Sequence, residues 1–255
     1  MKIHFIIHEA FEGPGALALW ALHRGHETGM SRLYDTEPLP SSLDGIDILV
    51  VMGGPQSPAT TQEECPHFDS LAEQALIRDA ITNGKVVIGI CLGAQLIGAA
   101  LGAPYEHSPE PEIGKYPITL TKAGRENENF LDFDSVLAVG HWHNDMPGLT
   151  SQATVIATSA GCPRQIVEYA PLVYGFQCHL EFTPELIEQL IIASEAELCV
   201  LADRPFVQSP STLRGHDHKD MNMTMFSFLD RLVARMKSGI EGRYPSFTRQ
   251  DNFSL

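Results

Sequence analysis

The chain has 255 residues, a hydrophobic content of 44%, a charged content of 19% and a formal net charge of −15. This length and composition suit a globular protein with one large domain and a sizeable core. The acidic balance argues against a nucleic-acid partner, because phosphate binding needs a basic surface. No apolar run approaches the roughly 20 residues of a membrane helix, and residues 1–7 suggest a strand rather than a signal peptide. We therefore expect a soluble, cytoplasmic protein with no membrane partner.

Up to about residue 101, strand-like and helix-like runs alternate. The pattern predicts strands at 2–7, 28–36, 46–52 and 85–90, and helices at 16–23, 68–83 and 92–101. Such an order is typical of a mostly parallel sheet covered by helices on both faces. The first part of the chain thus predicts an α/β fold, a three-layer sandwich around a mostly parallel central sheet.

The pattern changes after residue 103. Residues 104–117 suggest a long loop, and shorter strands follow near 117–121, 135–140, 153–158, 165–169 and 172–178. A helix is predicted from Thr183, which suits an N-cap, to about Ala202. We expect a loop at 203–216, a helix at 217–237 and a poorly ordered tail at 238–255. The predicted organisation is one domain over 1–202, a loop and helix packed on or beside it at 203–237, and the tail.

A short apolar strand ends on a cysteine held between glycines, in Gly89-Ile90-Cys91-Leu92-Gly93. This is the cysteine form of a nucleophile elbow, in which a sharp strand-to-helix turn exposes the nucleophile. The glycines allow close approach of neighbouring backbone, and the helix N-terminus favours a thiolate. Cys91 is therefore the candidate nucleophile.

A cysteine nucleophile needs a base, a group that orients the base and an oxyanion hole. His179 and Glu181 follow a late apolar run and would share one face of an extended segment. The glycines Gly53 and Gly54 end a buried strand and would let backbone N–H groups approach a reacting carbonyl. The N–H of Leu92, at the helix start, is the natural second donor.

These motifs resemble those of class I, triad-type glutamine amidotransferases, and in particular stand-alone relatives of the glutaminase domain of GMP synthase. The resemblance covers about residues 1–200. It is carried by Met52-Gly53-Gly54-Pro55, Gly89-Ile90-Cys91-Leu92-Gly93-Ala94-Gln95 and Gln177-Cys178-His179-Leu180-Glu181, with a fourth region at His141-Trp142-His143-Asn144-Asp145 and Gly161-Cys162-Pro163. One departure is Leu180, where the family often has proline.

The resemblance implies a flavodoxin-like fold and a role for each matching residue. Cys91 would attack the glutamine side-chain amide, His179 would move protons, and Glu181 would orient His179. Backbone N–H groups of Gly54 and Leu92 would hold the oxyanion. The substrate-binding residues would be Gly53, Gln95 and His143. The substrate would be glutamine or a γ-glutamyl compound, and no cofactor is implied.

Several alternatives remain open. No synthetase domain is evident after residue 202, so ammonia would pass to a separate synthetase subunit, or the enzyme would hydrolyse γ-glutamyl amides or peptides without transfer. A non-catalytic regulatory protein and a cysteine peptidase of similar architecture are further alternatives. The histidine pairs His141/His143 and His216/His218 could ligate a metal, but neither has further ligands at a recognisable spacing, so no metal is predicted.

Overall fold

A nine-stranded mixed sheet forms the centre of the protein in the computed structural model, which describes residues 1–239. The strands are β1 (Lys2–Ile7), β2 (Glu27–Arg32), β3 (Ile48–Val51), β4 (Val86–Ile90), β5 (Glu106–Leu120), β6 (Val136–Met146), β7 (Thr154–Thr158), β8 (Ile166–Ala170) and β9 (Val173–Phe176). Their order is β2-β1-β3-β4-β9-β8-β7-β5-β6. Pairing is parallel from β2 to β9 and antiparallel from β9 to β6.

Helices cover both faces of the sheet. They are α1 (Gly15–His23), α2 (Ser70–Thr82), α3 (Leu92–Ala100), α4 (Lys122–Glu126), α5 (Pro184–Ala193), α6 (Glu195–Val200), α7 (Pro210–Arg214) and α8 (Lys219–Lys237), with 3-10 turns at Leu33–Asp35 and Glu128–Phe130. Alternate residues of β4 enter different apolar clusters: Ile88 packs on the side of α1 and α8, and Val87 on the side of α2 and α3. The predicted α/β three-layer sandwich is therefore confirmed, with a sheet that is parallel in its first half and antiparallel in its second.

The predicted loop at 104–117 is wrong, because most of it belongs to β5. Prolines and glutamates in this segment disfavour a strand, yet it pairs with β6 from Glu112 opposite His143 to Thr119 opposite Val136. Pairing of β5 with β7 involves only Thr119 and Leu120, so prolines earlier in β5 interrupt no ladder on that side. Tertiary pairing overrides local propensity here.

Other boundaries also shift. The helix predicted at 183–202 breaks at Ser194, whose backbone is not helical, and gives α5 and α6. The predicted loop at 203–216 contains α7, which begins after the N-cap Ser209. The strand predicted at 28–36 ends at Arg32, and the one predicted at 135–140 continues to Met146. The proposed tail at 238–255 lies outside the described residues from 240 onward.

The last helix shares the main core of the domain. In α8, Phe228 is fully buried, and its ring packs against Phe130, Tyr174 and Phe176 at centroid separations of 5.0 to 5.1 Å. On its other side, Asp230 accepts a hydrogen bond of 2.9 Å from the indole of Trp20 in α1. Within residues 1–239, no helix is both long and apolar enough to cross a membrane.

Candidate active site

Cys91 lies in the turn between β4 and α3 with a backbone φ of 51° and ψ of −108°. A positive φ is uncommon for a residue with a Cβ, and such strain concentrates at functional sites. Glycines make the turn possible, since a Cβ on Gly89 would collide with the backbone of Gly93, and one on Gly93 with the Val51 carbonyl. The Cys91 N–H donates to the Phe176 carbonyl at 2.7 Å. The elbow is thus fixed at the carboxyl ends of three parallel strands, β3, β4 and β9.

His179 and Glu181 form a buried pair in the segment after β9. The His179 Nδ1 lies 2.7 Å from Glu181 Oε1, and both side chains are 2% exposed. The backbone of His179 exchanges two hydrogen bonds with Gly140 of β6, at 2.8 and 3.0 Å. The ring of Phe182 stacks on the imidazole at 4.2 Å. The Glu181 carboxylate, the Gly140 backbone and the Phe182 ring therefore hold the imidazole, while its Nε2 makes no hydrogen bond to residues 1–239.

The surroundings raise the pKa of both His179 and Cys91. Burial lowers the pKa of His179, but the Glu181 carboxylate and the adjacent Cys91 thiol outweigh it and raise that pKa to about 10. Burial raises the pKa of the Cys91 thiol, against the opposing effects of His179 and the Leu92 N–H. A reactive thiolate–imidazolium pair thus arises by loss of one proton, which the charge on His179 favours.

Gly54 and Leu92, the residues predicted to supply the oxyanion donors, lie close to each other at the Cys91 turn. A Cβ on Gly54 would come within 3.1 Å of the Leu92 side chain, so these residues are in contact. The Leu92 N–H begins α3 and points toward Cys91. The carbonyl of Gly53 lies 2.9 Å from Nδ1 of the buried His8, whose Nε2 pairs with Glu73 at 2.8 Å. This buried pair fixes the glycine turn.

An open cleft of about 460 Å³ leads to Cys91. Its wall includes the sequence-predicted Gly54, Gln95 and His143, together with Glu12, Trp142, Asp145 and Glu197. Acidic side chains but no lysine or arginine line this cleft among the described residues. A more apolar cleft of about 520 Å³ between α5, α6 and α7 contains no triad residue, so the cleft at Cys91 is the candidate substrate site.

Two residues at the site were missed by sequence reasoning. Gln177 donates from Nε2 to the Cys91 sulfur at 3.3 Å and accepts from Gln95 at 3.1 Å. Residues two apart in an extended segment share a face, so the spacing that places His179 and Glu181 together also places Gln177 there. Gln177 could therefore have been predicted from the sequence.

Glu12 is half-buried at the cleft, beside Gly53. Burial raises the pKa of Glu12 to about 7, although His179 and His8 act against it. It sits in a loop for which the sequence predicted only turns.

Of the two histidine pairs, His141 and His143 gain a third potential ligand, Glu112 of β5. All three side chains are buried, and burial lowers the pKa of His141 to about 3. The sequence did not predict this group, because Glu112 lies in the segment that was predicted as a loop. A second group of potential ligands comprises Glu9, Cys65 and His67, while His216 and His218 belong to no such group within residues 1–239.

Comparisons with known proteins show the family to which the chain is similar. Residues 21–197 match the sequence profile of the family described as glutamine amidotransferase class-I. The chain is 56% identical over 233 residues to the glutamine amidotransferase-like protein YfeJ of Salmonella typhimurium, covering 91% of this chain and 98% of that protein. It is 32% identical over 155 residues to a glutamine-hydrolyzing GMP synthase subunit from Thermoplasma acidophilum, covering 58% of this chain and 72% of the relative.

A solved structure shares the fold. The glutamine amidotransferase of Methylobacillus flagellatus superposes with a TM-score of 0.81 at 27% identity, covering 91% of this chain and 94% of that one. The family profile spans more than half of the chain, and it includes the elbow cysteine and the His179–Glu181 pair. The chain therefore belongs to the class I glutamine amidotransferase family.

Proposed function

We propose that this protein hydrolyses the side-chain amide of glutamine through a thioester on Cys91 and releases ammonia. The observation that carries the proposal is the buried His179–Glu181 pair, joined at 2.7 Å, next to a cysteine in a strained elbow. Nucleophile, base and orienting carboxylate are the three parts that nucleophilic catalysis by a thiol requires.

In the first half of the reaction, the thiolate of Cys91 attacks the amide carbon and a C–S bond forms. The oxyanion that develops accepts hydrogen bonds from the N–H groups of Leu92 and Gly54, which stabilises the tetrahedral intermediate. The His179 imidazolium gives its proton to the amide nitrogen, the C–N bond breaks and ammonia leaves. Glu181 keeps the ring oriented and balances its charge.

In the second half, His179 is neutral and takes a proton from water. The water oxygen attacks the thioester carbon, the C–S bond breaks and glutamate is released. The sulfur leaves as a thiolate and His179 keeps the proton that it took from water, so the starting thiolate–imidazolium pair is restored. Overall one water is consumed, and one glutamate and one ammonia are formed for each glutamine.

The lining of the cleft favours a substrate with an ammonium group. Glu12, Asp145 and Glu197 place carboxylates around it. The α-ammonium of glutamine or of a γ-glutamyl compound would pair with one of these acids, and Glu12 is adjacent to the reactive thiol. Gln95 and His143 would bind the α-carboxylate. The described cleft-lining residues include no lysine or arginine that could pair with it.

We also propose that the ammonia is used by a separate synthetase subunit. The support is the similarity to the Thermoplasma protein, whose description as a GMP synthase subunit marks it as one part of a larger enzyme. The five cysteines are free thiols, which suits the reducing cytoplasm. Neither a cofactor nor a nucleic acid is needed for the proposed chemistry.

The test is release of glutamate from glutamine by the purified chain, beside Cys91→Ala and the control Cys199→Ser, which alters an exposed cysteine. A panel of γ-glutamyl peptides runs in parallel. We expect glutamate release that Cys91→Ala abolishes and Cys199→Ser leaves unchanged. An electrophilic glutamine analogue should label Cys91 alone.

Other outcomes identify the alternatives. Cleavage of γ-glutamyl peptides but not of glutamine would replace the proposal by a γ-glutamyl hydrolase. Absence of both cleavage and Cys91 labelling, in a folded protein, would favour a non-catalytic regulatory protein. Labelling without turnover would indicate that a separate partner protein is needed to complete the site.

A further inference from the structure

Behind the cleft wall, three buried side chains converge from two paired strands. Glu112 of β5 lies opposite His143 of β6, and His141 is two residues away on the same face of β6. Glu112 Oε2 is 3.5 Å from His143 Nε2 and 3.7 Å from His141 Nδ1. The three potential ligand atoms all lie within 4.8 Å of one another, and the side chains are 0 to 1% exposed.

The hydrogen bonding of His141 leaves a lone pair aimed at a carboxylate. Its Nε2 lies 3.3 Å from the Tyr116 carbonyl, which can only accept, so the proton sits on Nε2. Its Nδ1 is then an acceptor, and it has no hydrogen-bond partner in the part of the chain that the structure describes. Glu112 Oε2 accepts from Ser159 Oγ at 2.7 Å, so the unsatisfied atom is His141 Nδ1. Two buried acceptors that face each other are unfavourable unless a proton or a metal cation lies between them.

Gln165 lies on a further side of the cluster, and the hydrogen bonding of its side-chain amide is also incompletely satisfied. Its amide nitrogen lies 2.6 Å from Glu112 Oε2, 2.9 Å from Ser159 Oγ and 3.2 Å from His143 Nε2, three contacts for two N–H groups. Its amide oxygen is buried without a partner among residues 1–239. A half-turn of the amide would present that oxygen to the cluster instead.

We propose that Glu112, His141 and His143 bind a divalent metal ion of the zinc type, with the Gln165 amide oxygen as fourth ligand. Ligand atoms bound to tetrahedral zinc at 2.0 to 2.1 Å are about 3.3 Å apart, close to the distances of 3.5 and 3.7 Å from Glu112 Oε2 to the two histidine nitrogens. Two imidazole nitrogens and two oxygens suit zinc and neighbouring first-row metals. The Tyr116 carbonyl supplies the second hydrogen bond that metal-binding histidines usually make.

Such an ion would be structural rather than catalytic. Protein atoms surround it and leave no open position for a substrate. It would tie β5 to β6 and to the start of β8, directly behind His143 in the cleft wall. The site uses no residue of the triad, but it shares His143 with the wall of the Cys91 cleft.

The group of Glu9, Cys65 and His67 is the rival within the described chain. Its members already satisfy one another: His67 lies 3.0 Å from Glu9, and the Gln56 amide donates to both Glu9 and Cys65. The three side chains are also partly exposed. A test must nevertheless separate the two groups.

The experiment uses the full chain, stripped with a chelator and titrated with Co²⁺ or Zn²⁺, with metal content measured after dialysis. The variants are Glu112→Gln, His141→Gln and Cys65→Ser. Glu110→Gln is the control on the same strand, where the carboxylate is partly exposed and pairs with Arg204 at 2.6 Å rather than facing the cluster. We expect one metal per chain in the wild type, in Cys65→Ser and in Glu110→Gln. Glu112→Gln and His141→Gln should bind at least about 100-fold more weakly.

Bound Co²⁺ should give a tetrahedral spectrum without a sulfur-to-metal charge-transfer band, and metal should raise the melting temperature of the wild type. Both readouts are measured on the wild type, so they test the proposal even if a cluster variant fails to fold. Absence of metal from the wild type after zinc dialysis would overturn the proposal. A protonated Glu112 would then satisfy the facing histidine nitrogen in place of a metal ion. Loss of binding in Cys65→Ser, or a sulfur charge-transfer band, would assign the ion to the rival group and also overturn it.

Discussion

The side-chain amide of Gln177 donates a 3.3 Å hydrogen bond to the sulfur of Cys91, and its oxygen accepts from Gln95 at 3.1 Å. All three side chains are buried. A donor aimed at the sulfur stabilises the thiolate more than the thiol, because hydrogen bonds to charged groups are stronger than those to neutral ones. We therefore expect Gln177 to favour the thiolate form of Cys91.

Replacing Gln177 by Met should slow thiol chemistry without unfolding the protein. Loss of a hydrogen bond to a charged group costs about 1.5–3 kcal/mol, so we expect the rate of Cys91 alkylation at pH 7 to fall by about 10-fold or more. The apparent pKa from alkylation rates should rise. Gln152→Met, in an exposed turn, is the control. An unchanged alkylation profile would contradict this role.

Replacing Glu181 by Gln should cost most of the activity. In the proposed mechanism Glu181 orients the His179 imidazole, so loss of its carboxylate should lower kcat by about 10²- to 10⁴-fold. It should also lower the pKa of His179, because Glu181 is a main cause of its raised value. Steady-state kinetics and histidine NMR titration give the two readouts. A kcat close to that of the wild type would remove Glu181 from the triad.

The same pair gives a pH dependence of stability. The His179 pKa rises from an ordinary 6.5 to about 10 on folding. Its contribution is therefore fully present below pH 6.5 and is lost as the pH rises toward 10. Urea unfolding of the wild type should show this loss, and the difference between wild type and Glu181→Gln should shrink over the same range. A constant difference would contradict the linkage.

Glu12 should act in the opposite direction on stability. Its folded pKa of about 7 lies above the ordinary 4.5, so ionisation opposes folding as the pH rises from 4.5 to 7. Glu12→Gln should therefore gain stability relative to wild type by about 1–3 kcal/mol at pH 8, a range discounted because the side chain opens onto the cleft. Glu63→Gln, at an exposed position, should show no such gain.

Replacing Gly93 by Ala should disrupt the elbow. The new Cβ would overlap the Val51 carbonyl, which is backbone and cannot move without shifting β3. Overpacking of this kind outweighs the gain of about 1 kcal/mol from alanine in a helix. We expect a net loss of about 2 kcal/mol or more and little Cys91 reactivity. Gly215→Ala, whose nearest contact would be 3.4 Å, should change stability by less than about 0.5 kcal/mol.

Local sequence was enough to predict the first half of the fold and to select the residues of the proposed triad. The apolar strands and amphipathic helices up to residue 101 each carry their own periodicity, so their order predicts the parallel sheet. Cys91 could be recognised because flanking glycines encode a turn that few other residues allow. His179 and Glu181 are two residues apart, so their contact depends on local backbone geometry.

Tertiary structure alone decided the rest. Residues 106–120 form a strand only because β6 supplies partners for a segment with poor strand propensity. That pairing brings Glu112 to His141 and His143, although Glu112 lies 29 residues before His141 in the chain. Glu12 reaches the cleft because its loop crosses the glycine turn after β3. Sequence periodicity records which face a residue occupies within its own element, whereas contacts between distant elements depend on how those elements pair and pack.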